Sequence, residues 1–165
     1  LCMQLARQCP DIPFMVVMNQ VCPTTFARLK SMAPSNLQVE SFVPWSRIET
    51  YFANARMLLN TSDSEGFPNT FLQAAKYGVP IVSLRVNPDE VLTQQQIGFV
   101  AAGDLERMKQ MIGQIWHGPD RFARMSANGR KYVASYHRLE DRVDELYAAI
   151  SVGQHRVGHH STAAA

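Results

Sequence analysis

The chain has no uninterrupted apolar run longer than Phe14–Met18. That is far short of the roughly 20 residues needed to cross a bilayer as a helix, so no transmembrane segment is expected. No signal peptide is visible either. Cysteine is scarce, with Cys2, Cys9 and Cys22 all near the N-terminus and without C-x-x-C spacing. The odd number and the spacing argue against a zinc site, a redox pair or a disulfide framework, and point to a reducing cytoplasm. Charge of one sign is also lacking: 16 basic and 14 acidic residues leave a formal +2. Such a balance excludes a general polycation for nucleic acid, so any anion must be bound locally.

What is present is enough for a domain. At 165 residues and 46% hydrophobic content, the chain can bury a core without metal or cross-links. A domain over residues 1–150 and a loose tail over 151–165 are expected. The tail has no apolar period, and its His155, His159 and His160 read as solvated side chains for want of a second ligand cluster. The sequence opens at Leu1 in a stretch that reads as helix, which suggests a piece of a longer protein whose first strand is missing.

Phe14–Met18 follows Pro10 and Pro13 and is continuous in apolar character, the pattern of a strand covered on both faces. Similar runs recur at Leu37–Val43, Arg56–Leu59 and Val79–Ser83, and the strands end after Phe99-Val100. Helix-length stretches lie between them at Thr24–Met32, at Ser46–Asn54 behind a Ser46-Arg-Ile-Glu49 capping box, and at Asn69–Tyr77. Three more helices are expected at Asp104–Trp116, Pro119–Ser135 and Leu139–Ile150, with Pro119 suited to a first helical position. The alternation predicts an α/β fold: one parallel, Rossmann-like sheet with helices on both faces.

The chemistry concentrates in residues 60–80, which run from the end of a strand through a polar loop into a helix. In open parallel sheets ligands bind beyond the carboxyl ends of the strands, and a helix N-terminus there offers unpaired N–H groups to an anion. Gly66 removes a side chain where a ligand approaches the backbone, Pro68 presets the first turn, and Asn69 or Thr70 can cap it. Thr70 and Asn69 share a helical face with Gln73, while Phe71, Leu72, Ala74 and Ala75 turn to the sheet. Gly78 and Pro80 end the helix. By spacing alone, Glu65, Asn69 and Thr70 fit ordinary loop and cap residues equally well.

Ser64-Glu-Gly-Phe-Pro-Asn69, the Ala-Ala pair and Tyr77-Gly-Val-Pro-Ile-Val82 together resemble the donor-binding motif of family-four retaining glycosyltransferases of the GT-B fold. Phe42-Val-Pro44, Ala55-Arg-Met-Leu-Leu59, Ile97-Gly-Phe-Val100 with Asp104, and Asn128-Gly-Arg-Lys-Tyr-Val133 follow in the same order. The resemblance spans roughly Leu5 to Ile150. It implies the C-terminal, nucleotide-sugar-binding half of a GT-B enzyme, with Glu65 at the first-glutamate position near the reacting carbon. The backbone of Gly66, Phe67, Pro68, Asn69 and Thr70 would receive the donor phosphates. Gln73 stands at the second-glutamate position that contacts the ribose, and Phe42, Val43 and Ile48 lie in the nucleobase region, where Ser41 replaces a usual glycine.

No metal or other cofactor is implied. The partners implied are a nucleotide-sugar donor and an N-terminal acceptor domain, with peripheral membrane association of the whole protein. The family's arginine and lysine for the pyrophosphate would precede Leu1, while Arg28, Lys30 and Arg47 read as solvated surface. Two other readings stand beside this one. The first is a non-catalytic sugar-nucleotide-binding or scaffolding module, prompted by Gln73; the second is a GT-B epimerase, which would need carboxylates and a histidine not visible in the sequence.

Overall fold

The computed structural model describes residues 1–18 and 22–138, together with Val143, Tyr147 and Ile150. The tail 151–165 and most of the helix expected at 139–150 lie outside the described residues. Strands and helices alternate along the chain. The order is α1 (Cys2–Gln8), β1 (Phe14–Val17), α2 (Pro23–Met32), β2 (Leu37–Glu40), α3 (Trp45–Asn54), β3 (Leu58–Asn60), α4 (Asn69–Lys76), β4 (Ile81–Ser83), α5 (Val91–Gln94), β5 (Gly98–Val100), α6 (Leu105–Trp116) and α7 (Pro119–Tyr136).

Every strand pair is parallel, so each connection must cross over through a helix. The strands form two ladders and not the single sheet expected from the sequence: β1 pairs with β2, and β3, β4 and β5 pair in that order. In the first, Phe14 faces Leu37 and Val17 faces Glu40. In the second, Leu58 faces Ile81, which faces Gly98. Apolar character marks a strand without saying which edge it pairs through, so the break between β1 and β3 was not visible in the runs themselves.

Two apolar cores lie on opposite sides of the longer ladder. One gathers Leu5, Phe14, Phe26, Leu37, Val39, Val82, Met108 and Ile112, with Leu59 against it. The other gathers Phe71, Ala74, Ile81, Leu92 and Ile97, with Leu58 and Phe52 against it. Adjacent residues of β3 and β4 thus enter different cores, as a strand's period of two requires. Ile81 and Val82 are fully buried, each contributing about 1.5–3 kcal/mol by removal from water.

Gly98 lets β5 sit directly against β4, because a Cβ there would collide with the Ile81 carbonyl. Gly78, at φ +68, supplies the left-handed residue that ends α4.

The caps depart from expectation. Ser46 lies inside α3, whose N-cap is Pro44 and carries no side-chain bond, so the expected capping box does not form. Glu49 pairs instead with Lys76 at 3.4 Å. Asp104, expected as the first residue of its helix, instead caps α6, accepting from the Arg107 N–H at 3.0 Å. Asn36 directs its amide nitrogen at the carbonyls of Ala6, Cys9 and Ile12, at 2.9, 2.9 and 2.8 Å, and so ties the α1–β1 turn to the start of β2.

Candidate functional site

The loop 61–68 leaves the carboxyl end of β3 and enters α4 beside the carboxyl end of β4. Asn60, the last residue of β3, organises it. Its amide nitrogen donates to a Glu65 carboxylate oxygen at 2.8 Å, and its carbonyl oxygen Oδ1 accepts from the Ser62 N–H at 3.3 Å. The buried Ser83 hydroxyl on β4 reaches the same Oδ1 at 3.4 Å, and the Asn60 backbone carbonyl accepts from Leu84 N–H at 2.8 Å. Two adjacent strand ends therefore hold the turn that presents Glu65. Glu65 itself is exposed.

Across the same loop, Asp63 accepts from the Arg85 guanidinium at 3.0 Å. Arg85 follows β4 by two residues, and its guanidinium fills the space where a side chain on Gly103 would stand. Both groups are well exposed, so the pair contributes little stability; it ties the loop to the residues that follow β4.

Pro68 is the N-cap of α4 and Asn69 its first helical residue, with no side-chain cap. The expectation that Asn69 or Thr70 caps the helix is therefore corrected: both lie within its first turn and are exposed. Phe71 donates its N–H to the Pro68 carbonyl at 2.9 Å. An uncapped helix start carries partial positive charge and free N–H donors, which suits a phosphate. Space is available, because nothing lies within 4 Å of where a Cβ on Gly66 would stand. Gln73 is half-buried one turn further along α4, and Phe71, Ala74 and Ala75 face the core.

The other expected site residues are less closely grouped. Phe67 meets His137, ring centroids 6.1 Å apart, and lines a shallow cavity of about 250 Å³ with Asp89, Val91 and Tyr132. Glu65 and Gln73 do not line it. After β2, Phe42 is 67% exposed while Val43 is buried. Ile48 is half-buried in α3, and Trp45, beside Phe42 in the chain, is 76% exposed. Arg28, Lys30 and Arg47 are exposed as expected, with Arg47 lying 5.8 Å from the Tyr51 ring centroid. Among the described residues no cluster of His, Cys, Asp or Glu could hold a metal ion.

Sequence reasoning missed Asn60, Ser83 and Arg85. The available signal was positional: each stands at or just beyond a strand's carboxyl end, where open parallel sheets place their ligands.

Residues 3–117 match the family model described as Glycosyl transferases group 1. The chain belongs to the group 1 glycosyltransferases. No curated protein matches it at the sequence level. Solved structures share its fold at low identity. HepE of Anabaena, solved with UDP, superposes with a TM-score of 0.77 at 14% identity, over 92% of this chain and 44% of that one. TarM of S. aureus, solved with Fondaparinux, alpha-GlcNAc-glycerol and UDP, gives 0.73 at 12%, over 89% and 30%. The pneumococcal O-GlcNAc transferase GtfA, solved with UDP and GlcNAc, gives 0.69 at 17%, over 93% and 32%. This group 1 domain thus spans less than half the length of these structures. Its α/β fold of parallel ladders flanked by helices is the one seen in GT-B glycosyltransferases, and among the described residues no helix is long and apolar enough to cross a membrane.

Proposed function

We propose that this chain is the donor-binding, C-terminal half of a retaining glycosyltransferase that moves a sugar from a nucleoside diphosphate to a glycan or lipid-linked glycan. The observation that carries the reading is the Asn60–Glu65 bond of 2.8 Å, which holds a carboxylate immediately before the uncapped start of α4. The helix start would receive the diphosphate and the carboxylate would meet hydroxyls of the transferred sugar. The protein's share of catalysis is then positioning and stabilisation of charge on the departing diphosphate. Gln73 would approach the ribose, with the segment of Phe42 and Val43 and the α3 residue Ile48 toward the base. Arg85, paired with Asp63, lies at the loop mouth.

Family membership supports sugar transfer, and UDP in the similar structures makes it the first nucleotide to try. The acceptor domain would be supplied by the rest of the polypeptide, in a cytoplasmic protein acting without metal at the inner face of a membrane.

The reading is tested in the full-length protein. UDP should bind with a one-to-one stoichiometry by calorimetry, and a panel of nucleotide sugars offered with acceptor should include one that yields free nucleoside diphosphate and glycoside together. Glu65→Gln should lower that turnover at least about 100-fold while leaving the thermal midpoint unchanged, the scale of losing one group that acts on the transition state. Unchanged turnover would remove Glu65 from the mechanism.

A second reading has one observation behind it. Gln73 offers a neutral amide where the resembling family carries a carboxylate, which weakens the ribose contact. Nucleotide binding without any glycoside product would identify a sugar-nucleotide-binding module.

A further inference from the structure

The two ends of an asparagine side chain do different things: the oxygen only accepts, and the nitrogen donates through two hydrogens. At Asn60 the partners decide which end points where. The Ser62 backbone N–H can only donate, and it lies 3.3 Å from Oδ1. With the oxygen so placed, the Ser83 hydroxyl at 3.4 Å is a donor to it, and the nitrogen faces the Glu65 carboxylate at 2.8 Å. Both lone pairs of the Asn60 oxygen are then committed within the loop and to β4. The nitrogen has committed one hydrogen and keeps a second.

Glu65 has a complementary surplus. A carboxylate offers about four lone-pair positions, and Asn60 occupies one of them. The other acidic group of the loop, Asp63, is engaged differently, by the Arg85 guanidinium at 3.0 Å. Glu65 thus meets a neutral donor where Asp63 meets a cation, and Glu65 is exposed. A spare N–H and spare carboxylate lone pairs therefore stand side by side. A sugar hydroxyl completes such a pair, because its hydrogen is donated while its oxygen accepts. A phosphate would satisfy the amide but be repelled by Glu65, and an ammonium would satisfy Glu65 but leave the amide without an acceptor. Little further ordering is needed when the hydroxyl arrives: the oxygen end of the amide is already tied to two groups, and the Asn60 backbone carbonyl accepts from the Leu84 N–H at 2.8 Å.

We propose that Asn60 is a specificity-determining residue that, together with Glu65, grips one hydroxyl of the transferred sugar, Glu65 accepting from it and Asn60 donating to it. The proposal rests on the donor-site reading of Glu65 given above and deepens it. It names the substrate class as a sugar with a free hydroxyl at the gripped carbon. A deoxy sugar would leave an N–H and a carboxylate without their partner, and sites built to bond a hydroxyl reject the analogue that lacks it.

Calorimetry on the full-length protein tests this without requiring turnover. A panel of UDP-, GDP- and ADP-linked hexoses identifies the tightest-binding donor, and each of its monodeoxy analogues is then compared with it. The wild type should bind one analogue at least about 10-fold more weakly than the parent, the scale of a hydrogen bond to a charged group. In Asn60→Ala that preference should shrink to about threefold, while affinity for the free nucleoside diphosphate, which has no sugar to grip, stays within about twofold. Asn60→Asp keeps an oxygen for the Ser62 N–H and removes only the donor, and it should lose the preference in the same way. A preference that survives in both variants would overturn the role of Asn60, and its loss in Glu65→Gln would then leave that of Glu65 standing. Equal binding of every analogue by the wild type would overturn the proposal. So would a fall in nucleoside diphosphate affinity as large as the fall for the sugar nucleotide, since Asn60 would then serve only to hold the loop. No binding of any nucleotide sugar would sink the donor-site reading and this proposal with it, whereas binding without turnover would sink the transferase reading alone.

Discussion

The two ladders of this glycosyltransferase domain are built from similar runs of apolar residues and finish in different states. In β3–β4–β5 the central strand is sealed on both faces and both edges, and Ile81, Val82 and Ser83 are fully buried. In β1–β2 the residues alternate between a buried row, Phe14, Leu37 and Val39, and an outward row in which Met15 and Val17 are 45% and 48% exposed. Burial of a strand thus depends on its neighbours as much as on its composition. The candidate site lies on the longer ladder: Asn60 ends the half-buried edge strand β3, and Ser83 ends the sealed central strand β4 beside it.

The largest expected difference between the ladders is in stability. Gly98→Ala would drive a methyl into the Ile81 carbonyl and should destabilise by about 3 kcal/mol, whereas Val17→Thr on the outward row of β1 should stay within about 0.5 kcal/mol. Denaturant midpoints of the two variants measure the contrast; equal losses would mean that β1 is packed as tightly as β4.

A smaller effect is expected at the site. Gln73→Glu, one turn beyond the start of α4, should tighten UDP binding about tenfold, since a charged acceptor contributes roughly 1.4 kcal/mol more than a neutral one. Calorimetry on both forms decides it, and unchanged affinity would show that Gln73 does not face the ribose.

The last effect, of similar size but without bearing on the site, concerns thiol chemistry in the less sealed half. The Thr24 hydroxyl, 3.1 Å from the Cys22 sulfur, together with Thr25, lowers the Cys22 pKa to about 7, while burial raises that of Cys2 above its usual value. A lowered pKa enlarges the thiolate fraction at neutral pH, and the thiolate is the nucleophile. Iodoacetamide labelling of Cys22 should therefore rise through a midpoint near pH 7 and exceed that of Cys2 roughly tenfold there. Equal rates, read by mass spectrometry, would show that the Thr24 contact does not persist in solution.

Much of the fold was legible because it is written locally. Phe14–Val17 and Ile81–Ser83 are nearly continuous apolar runs, Pro119 opens α7, and Gly78 stops α4 where a left-handed residue was needed. The short α5 was not legible, being a single turn behind Asp89 and Glu90 in left-handed conformations that no periodicity announces. At Ser46 a motif with the right letters sat one residue inside the helix that Pro44 had already begun. At the site, the Glu65–Gly66 loop and the α4 start could be read in order along the chain. The bonds that hold them could not.

The sequence by itself determined the alternation of elements, the parallel α/β class and the position of a helix start after β3, because backbone propensity, hydrophobic period and turn chemistry act within a few residues. Only the tertiary structure decided that Asn60 grips Glu65, that Ser83 and Arg85 join the loop from β4, and that the ladders part between β1 and β3. Those outcomes depend on which strands lie side by side. That is set by the hand of the crossovers and by which core each helix covers, and neither is encoded in any short stretch of residues.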